Sequence, residues 1–170
     1  MFGRWMNSGH QTASLEGAEQ IAQAVRVHLP DADEETVRVM TCMAGLLGAV
    51  AYADRDYSEP EERRVRAELA RVHGMMEAGI DAIADALRRN IVEVSTVQVQ
   101  RYCRSLRELG DRELRVQLLE VLVDVAAADG VVSLSEVNVL RQVTTALGLE
   151  QADYNAAQER HRDKLGVLRS

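Results

Sequence analysis

A short acidic segment occurs twice in this chain, and its repetition constrains the fold more than any single residue does. The two copies are Asp54-x-x-x-Ser58-x-x-Glu61 and, 75 residues later, Asp129-x-x-x-Ser133-x-x-Glu136. Aligned over residues 47–66 and 122–141, they share eight identical residues in twenty positions. Such self-similarity indicates that one structural unit is used twice. We therefore predict two pseudo-duplicated helix–loop–helix halves, with an internal repeat at about residues 40–73 and 115–148.

The secondary structure predicted for this chain is entirely helical. Only two prolines occur in 170 residues, and the aromatic share of 4% leaves an aliphatic core. Apolar residues recur at helical spacings of three and four, and no hairpin or βαβ signal is present. The predicted helices are 14–29, about 34–53, 58–73, 76–90, about 96–109, 112–128, 133–147 and 151–165. We predict an all-α, single-domain orthogonal helical bundle of seven to eight helices.

Capping signals define several of the predicted helix ends. Pro30 ends the first helix. The stretch 91–99 is rich in β-branched residues and is predicted to be a break, with Ser95 or Thr96 capping the helix that follows. Asp111 is predicted to cap the next helix in the same way.

The first residues are predicted to form a separate arm. Residues 1–13 are interpreted as a flexible N-terminal arm, and residues 14–170 as the helical domain. Phe2 and Trp5, the only Phe and Trp in the chain, lie in this arm. One interpretation is that the arm packs on the domain. The other is that these two residues anchor the chain to a partner or, peripherally, to a membrane surface.

Composition excludes several classes of protein. The net charge of −7 argues against nucleic-acid binding, which needs a positive surface. Cys42 and Cys103 are too few and too isolated to suggest a disulfide scaffold, so we expect a reducing, cytoplasmic location. No apolar run approaches the roughly 18–20 residues of a membrane span, and no signal peptide is apparent. The oligomeric state is left open.

Each acidic segment fits a helix–loop–helix joint. Ser-x-x-Glu is a capping box, in which Ser58 or Ser133 caps a helix and Glu61 or Glu136 returns to the serine amide. The preceding aspartate can accept hydrogen bonds from amides of the loop, as in an Asx-turn. This structural interpretation accounts for the Asp, Ser and Glu of the repeated segment in both copies.

The same oxygens also suit a divalent cation, which is the only cofactor that the sequence suggests. The predicted ligands are Asp54, Asp56, Glu61, Asp124, Asp129 and Glu136. The EF-hand pattern fails, since its position 6 holds no Gly and its position 12 holds no Glu in either copy. Asp124 stands out because its neighbours are apolar, and it lies one helical turn after Glu120. Docking of a protein partner on the acidic face is the alternative use.

Catalysis is not predicted. The four histidines form no metal-binding pair in sequence and are interpreted as surface or helix-end residues. A metal-dependent enzyme would use the loop carboxylates, but no His or Lys partner for them is evident in the sequence. A purely structural helical adaptor without metal is a further alternative.

Residues around the second copy resemble a known family. The segment from Leu119 to Glu136 has the core Ala-Asp-Gly-x-x-Ser-x-x-Glu and is followed by Leu147-Gly148-Leu149. It resembles the TerB-like family, which includes the tellurite-resistance protein TerB and the N-terminal domain of the DjlA co-chaperone. The resemblance covers about residues 35–160.

That resemblance implies a helical, non-catalytic interaction or scaffold domain, linked to stress response or metal-ion sensing. Two departures qualify it. The chain has neither a transmembrane segment nor the His-Pro-Asp of a J-domain, so direct co-chaperone action is not expected. Arg55 also stands where the second copy has Gly130, so the two loops are not expected to bind alike.

Overall fold

The described residues form α-helices only. The computed structural model describes the backbone of residues 6–128 and 130–169 and the side chains of residues 17–128 and 130–163. Within that part the eight helices are α1 (Met6–His28), α2 (Glu34–Ala51), α3 (Glu59–Ala70), α4 (Glu77–Thr96), α5 (Val99–Leu109), α6 (Arg112–Ala126), α7 (Leu134–Ala146) and α8 (Gln151–Arg169). The predicted all-α helical bundle is confirmed. Among the described residues, no helix is both long enough and apolar enough to cross a membrane.

Local capping sets the starts of the helices much as the sequence predicts. Asp33 caps α2 by accepting a hydrogen bond from the amide of Thr36 at 2.7 Å. Asp111 caps α6 in the same way, through the amide of Leu114 at 2.8 Å. The first helix is longer than predicted, since α1 begins at Met6. Residues 6–13, assigned to a flexible arm, are therefore helical.

The predicted break at residues 91–99 is wrong in its position. Helix α4 continues through this stretch to Thr96, and its irregularity lies at Asn90, with φ −116° and ψ 16°. The Asn90 amide donates to the Ala86 carbonyl at 2.8 Å and to Oε1 of Gln20 on α1 at 2.9 Å. Ser95 and Thr96 do not cap α5. Their hydroxyls donate to the Val92 carbonyl within α4, at 3.2 Å and 2.6 Å.

Helix α2 lies at the centre of the molecule. It packs against α1, α3, α4, α5, α6 and α7, and every residue from Ala44 to Ala51 is buried. Its central position follows from the sequence, because a helix that is apolar nearly all round must be surrounded by other helices. The core that it organises is aliphatic, as the composition indicates.

The repeat appears as two corresponding helix pairs. The pair α2–α3 surrounds the first acidic loop, and the pair α6–α7 surrounds the second. The pairs interlock, because α2 packs on α6 while α3 packs on α6 and α7 packs on α2. Helices α1, α4 and α5 cover α2, while α8 packs on α6 and α7. The surroundings of the two pairs therefore differ.

Candidate functional site

Both repeated Ser-x-x-Glu segments form capping boxes. The Ser58 amide donates to Oε2 of Glu61 at 2.9 Å, and the Glu61 amide donates to Oγ of Ser58 at 3.5 Å. In the second copy the Ser133 amide donates to Oε2 of Glu136 at 2.6 Å, and the Glu136 amide donates to Oγ of Ser133 at 3.2 Å. Both glutamates are buried. The capping interpretation of these four residues is confirmed.

The two loops turn through the same backbone conformation. Arg55 has φ 67° and Gly130 has φ 88°, and these residues occupy equivalent positions in the repeat. In the first loop Oδ1 of Asp54 accepts a hydrogen bond from the Asp56 amide at 2.9 Å, which forms the predicted Asx-turn. Asp129 lies outside the described residues. Arginine in the left-handed region is unusual, and glycine adopts it without steric cost.

The surroundings of the loops are different. Beside the first loop, the Arg88 guanidinium lies 5.8 Å from the centre of the Tyr57 ring. Glu62 forms ion pairs with Arg88 and, at 3.1 Å, with Arg66. Burial raises the pKa of Tyr57 to about 12, so its hydroxyl stays protonated at neutral pH. The first loop is thus tied to α3 and α4.

The second loop exposes apolar side chains instead. Val131 is 73% exposed, Val132 is 37% exposed and Leu134, the first residue of α7, is 76% exposed. These three residues are consecutive except for the capping Ser133. Single exposed apolar residues are ordinary on protein surfaces, whereas three close in sequence at one helix start are less common. We call Val131, Val132 and Leu134 the apolar tip.

A buried carboxylate lies between α3, α6 and α8. Asp124 of α6 has a side chain only 5% exposed, and its Oδ1 lies 2.6 Å from Nδ1 of His161 on α8. Its Oδ2 lies 3.5 Å from Arg64 of α3. Arg64 also pairs with Glu68 at 3.3 Å, and Glu68 pairs with Arg71 at 3.2 Å. Asp124 is therefore part of a network of charged residues joining three helices.

The assignment of all four histidines to surfaces or helix ends is wrong for His161. Its partner is 37 residues distant in sequence, so no spacing rule would connect them. One signal was available, because Tyr154, Ala157 and His161 are separated by three and four residues and lie on one face of α8. Tyr154 and Ala157 are both 2% exposed. The periodicity of α8 therefore places His161 toward the core.

The Asp124 network is not repeated in the other half. The residues 75 positions from Asp124, Arg64 and Glu68 are Ala49, Val139 and Val143. All three are small or apolar. The charged contacts between α3, α6 and α8 are thus a feature of one half only, whereas the capping boxes belong to both.

The predicted metal ligands are not assembled into one cluster in the described structure. No group of three or more His, Cys, Asp or Glu side chains is placed to hold a metal ion within the described residues. Glu61 and Glu136 bind serine amides, and Asp124 binds His161 and Arg64. Asp129, Phe2 and Trp5 lie outside the described residues, so their predicted roles stay predictions.

The two cysteines are buried and unlinked. Burial raises the pKa of the Cys42 thiol to about 11 and that of Cys103 to about 12. Both are therefore protonated near neutral pH, a state in which a thiol is a poor nucleophile. Both therefore serve as small core residues.

Comparison with known proteins gives one result. The family model described as "Tellurite resistance protein TerB" matches residues 40–159. No curated protein and no solved structure matches the chain significantly. The matched segment begins in α2, ends in α8, and contains both acidic loops together with Asp124, Arg64 and Glu68, whereas His161 lies two residues beyond its end.

Proposed function

The chain belongs to the TerB family, and we propose that it is a non-catalytic interaction domain whose second acidic loop binds a protein partner. The observation that carries this proposal is the exposure of the apolar tip. Two of its three side chains are more than 70% exposed. Exposed apolar side chains beside a helix start lose contact with water when a partner covers them, which favours association.

The proposed partner has an apolar segment flanked by arginine or lysine. The chain carries a net charge of −7, and charge complementarity accelerates association and selects partners. The apolar tip supplies contact area, while the net negative charge of the chain favours a basic partner. Binding should therefore weaken as salt is added, since salt screens exposed charges.

A non-catalytic role is supported by what the repeated carboxylates do. Glu61 and Glu136 are both buried and hold the starts of α3 and α7 through capping boxes. Using either carboxylate as a general base would remove a helix cap. The Asp124–His161 pair is the one acid–base pair in the described residues that could serve an enzyme. Its carboxylate is 5% exposed and also contacts Arg64, which suits a structural link better.

The docking proposal is tested by site-specific crosslinking. A photoreactive amino acid is placed at Leu134 and, as a control, at Val97, which is also an exposed apolar residue at 50%. Crosslinking is carried out in cells that contain the protein. We expect a discrete adduct from position 134 that is absent from position 97. Equal adducts from both positions would contradict the proposal.

The crosslinked partner is then purified and its affinity measured directly. Leu134→Asp should weaken binding by tenfold or more, because a charge replaces an apolar contact. Val97→Asp should bind like the wild type. Unchanged affinity for Leu134→Asp would show that the apolar tip is not the docking surface.

Cation binding at the acidic loops is the alternative use of this site. Asp54 and Asp56 are both exposed, and hard cations prefer carboxylate oxygens. Thermal unfolding is measured with Ca²⁺, Mg²⁺, Mn²⁺ and Zn²⁺, for the wild type and for Asp54→Asn combined with Asp129→Asn. A cation bound only by the folded state raises the midpoint with its concentration. A rise in the wild type that the double variant lacks would establish the cation site.

A further inference from the structure

A groove lies on the side of the molecule formed by α1, α2 and α5. Its volume is about 300 Å³, at the lower end of the range for small-molecule sites, about 300–1,000 Å³. The apolar lining comes from all three helices and consists of Ala18, Ala22, Val37, Cys42 and the ring of Tyr102. None of the acidic repeat residues lines it.

Positive charge predominates among the residues that line the groove. Three arginines, Arg26, Arg38 and Arg101, line it together with one acid, Glu19. Arg26 is neutralised by Glu19 at 2.9 Å and by Glu34 at 3.1 Å. Arg38 is exposed and forms no ion pair with any described residue. In a chain whose net charge is −7, this is a local reversal of sign.

The buried polar side chains of the lining are not available to a ligand. The Tyr102 hydroxyl is buried, and none of the described residues forms a hydrogen bond with it. The other two buried polar side chains of the lining form hydrogen bonds within the protein. Thr41 donates to the Val37 carbonyl at 2.7 Å, and the Gln98 amide donates to Glu93 at 3.3 Å. Because the hydroxyl is fully buried, a ligand in the groove would meet the Tyr102 ring and the exposed Arg38 instead.

We propose that this groove binds a small amphipathic carboxylate, with its apolar body against the alanines and Tyr102 and its carboxylate at Arg38. An apolar pocket with a few placed polar groups is the usual form of a small-molecule site. Arginine suits the anion because its planar guanidinium can donate two parallel hydrogen bonds to one carboxylate. Binding is non-covalent, since the Cys42 thiol in the lining is protonated near neutral pH.

Octanoate is the probe that tests this proposal with the full chain. Binding is followed by isothermal titration calorimetry and by amide chemical shifts, below the concentration at which octanoate aggregates. We expect saturable binding, with shifts concentrated in α1, α2 and α5. Octan-1-ol and octyltrimethylammonium have the same chain without the negative charge, and they should bind at least tenfold more weakly.

Two substitutions and one control locate the site. Arg38→Gln should weaken octanoate binding about tenfold, which corresponds to the loss of one charge-assisted contact. Ala18→Phe should fill the groove and abolish binding. Arg104→Gln is the matched control, because Arg104 is exposed on α5 and does not line the groove. It should leave the affinity unchanged.

Three outcomes would overturn the proposal. The first is the absence of saturable octanoate binding by the wild type. The second is an affinity that Arg38→Gln leaves unchanged. The third is equal binding of octan-1-ol, which would remove the role of the carboxylate. Arg38 is exposed, so Arg38→Gln keeps the fold, and circular dichroism verifies this for all the variants.

Discussion

At the scale of single residues, the first acidic loop carries a backbone conformation that its sequence does not favour. Arg55 has φ 67°, and a residue with a Cβ in the left-handed region pays about 1–2 kcal/mol. We predict that Arg55→Gly raises the free energy of unfolding by about 0.5–1 kcal/mol, after the entropic cost of glycine. Urea unfolding monitored by circular dichroism measures this change.

Arg55→Ala is the control for this prediction. Alanine removes the arginine charge but keeps the Cβ, so its stability should stay within about 0.5 kcal/mol of the wild type. If Arg55→Ala were stabilised as much as Arg55→Gly, the charge and not the backbone would be the cause. At the equivalent position of the second loop, φ is 88° and the residue is already a glycine, Gly130.

The contact between Asp124 and His161 is the second prediction at this scale. Asp124→Asn and His161→Gln should each destabilise the fold by about 1–3 kcal/mol, because each leaves buried polar atoms without their partner. The double variant should lose less than the sum, with a coupling energy of about 0.5–3 kcal/mol. Chemical denaturation of the four proteins completes this double-mutant cycle.

An exposed ion pair provides the comparison for this cycle. Arg26 and Glu34 approach to 3.1 Å, with side chains 35% and 71% exposed. Their coupling should be only about 0.2–1 kcal/mol, because water screens exposed charges. A coupling for Asp124 and His161 no larger than this would mean that the buried contact contributes little to the fold.

At the scale of helices, the ends that depend on local chemistry could be predicted and those that depend on packing could not. Ser58, Ser133 and Asp111 cap helices as predicted, since a cap involves residues only three apart. The end of α4 at Thr96 was not predicted, and its irregular residue Asn90 forms a hydrogen bond to Gln20 of α1, a contact between helices that local sequence does not reveal. Similarly, the periodicity of α8 turns His161 toward the core, but its contact with Asp124 depends on how α8 packs on α6.

The close approach of α2 to α5 gives the prediction at this scale. A Cβ at Gly45 would lie 2.7 Å from Cδ2 of Tyr102, closer than real Cβ contacts allow. Gly45→Ala should therefore destabilise the fold by about 1–3 kcal/mol, although alanine is the better helix former by about 1 kcal/mol. Thermal unfolding measures the loss.

Gly48, on the same helix, is the matched control. A Cβ there would meet Cδ2 of Leu87 at 2.9 Å, which is the end of a flexible side chain that can move aside. Gly48→Ala should therefore stay within about 1 kcal/mol of the wild type, since the gain in helix propensity offsets the shift of Leu87. Equal losses at both glycines would show that the Tyr102 ring is not the rigid neighbour proposed here.

At the scale of the whole molecule, the two halves share their helix–loop–helix connections but differ in the surfaces around them. Both halves keep the capping box and the left-handed loop residue. The Asp124 network occurs only between α3, α6 and α8, and the apolar tip occurs only on the second loop. Self-similarity could therefore predict the fold but not the proposed docking surface, because the apolar tip is formed by residues at which the two copies differ.

The interlocked halves are predicted to unfold as one unit. Leu47 and Leu122 occupy equivalent positions and are 3% and 0% exposed. Leu47→Ala and Leu122→Ala should each cost about 2–5 kcal/mol. Because α2 and α6 pack on each other, a destabilising substitution in either helix should lower the stability of both. Hydrogen exchange should therefore show residues 34–51 and 112–126 losing protection together in each variant. Loss confined to the mutated helix would instead show two separately folding halves, joined by contacts too weak to couple them.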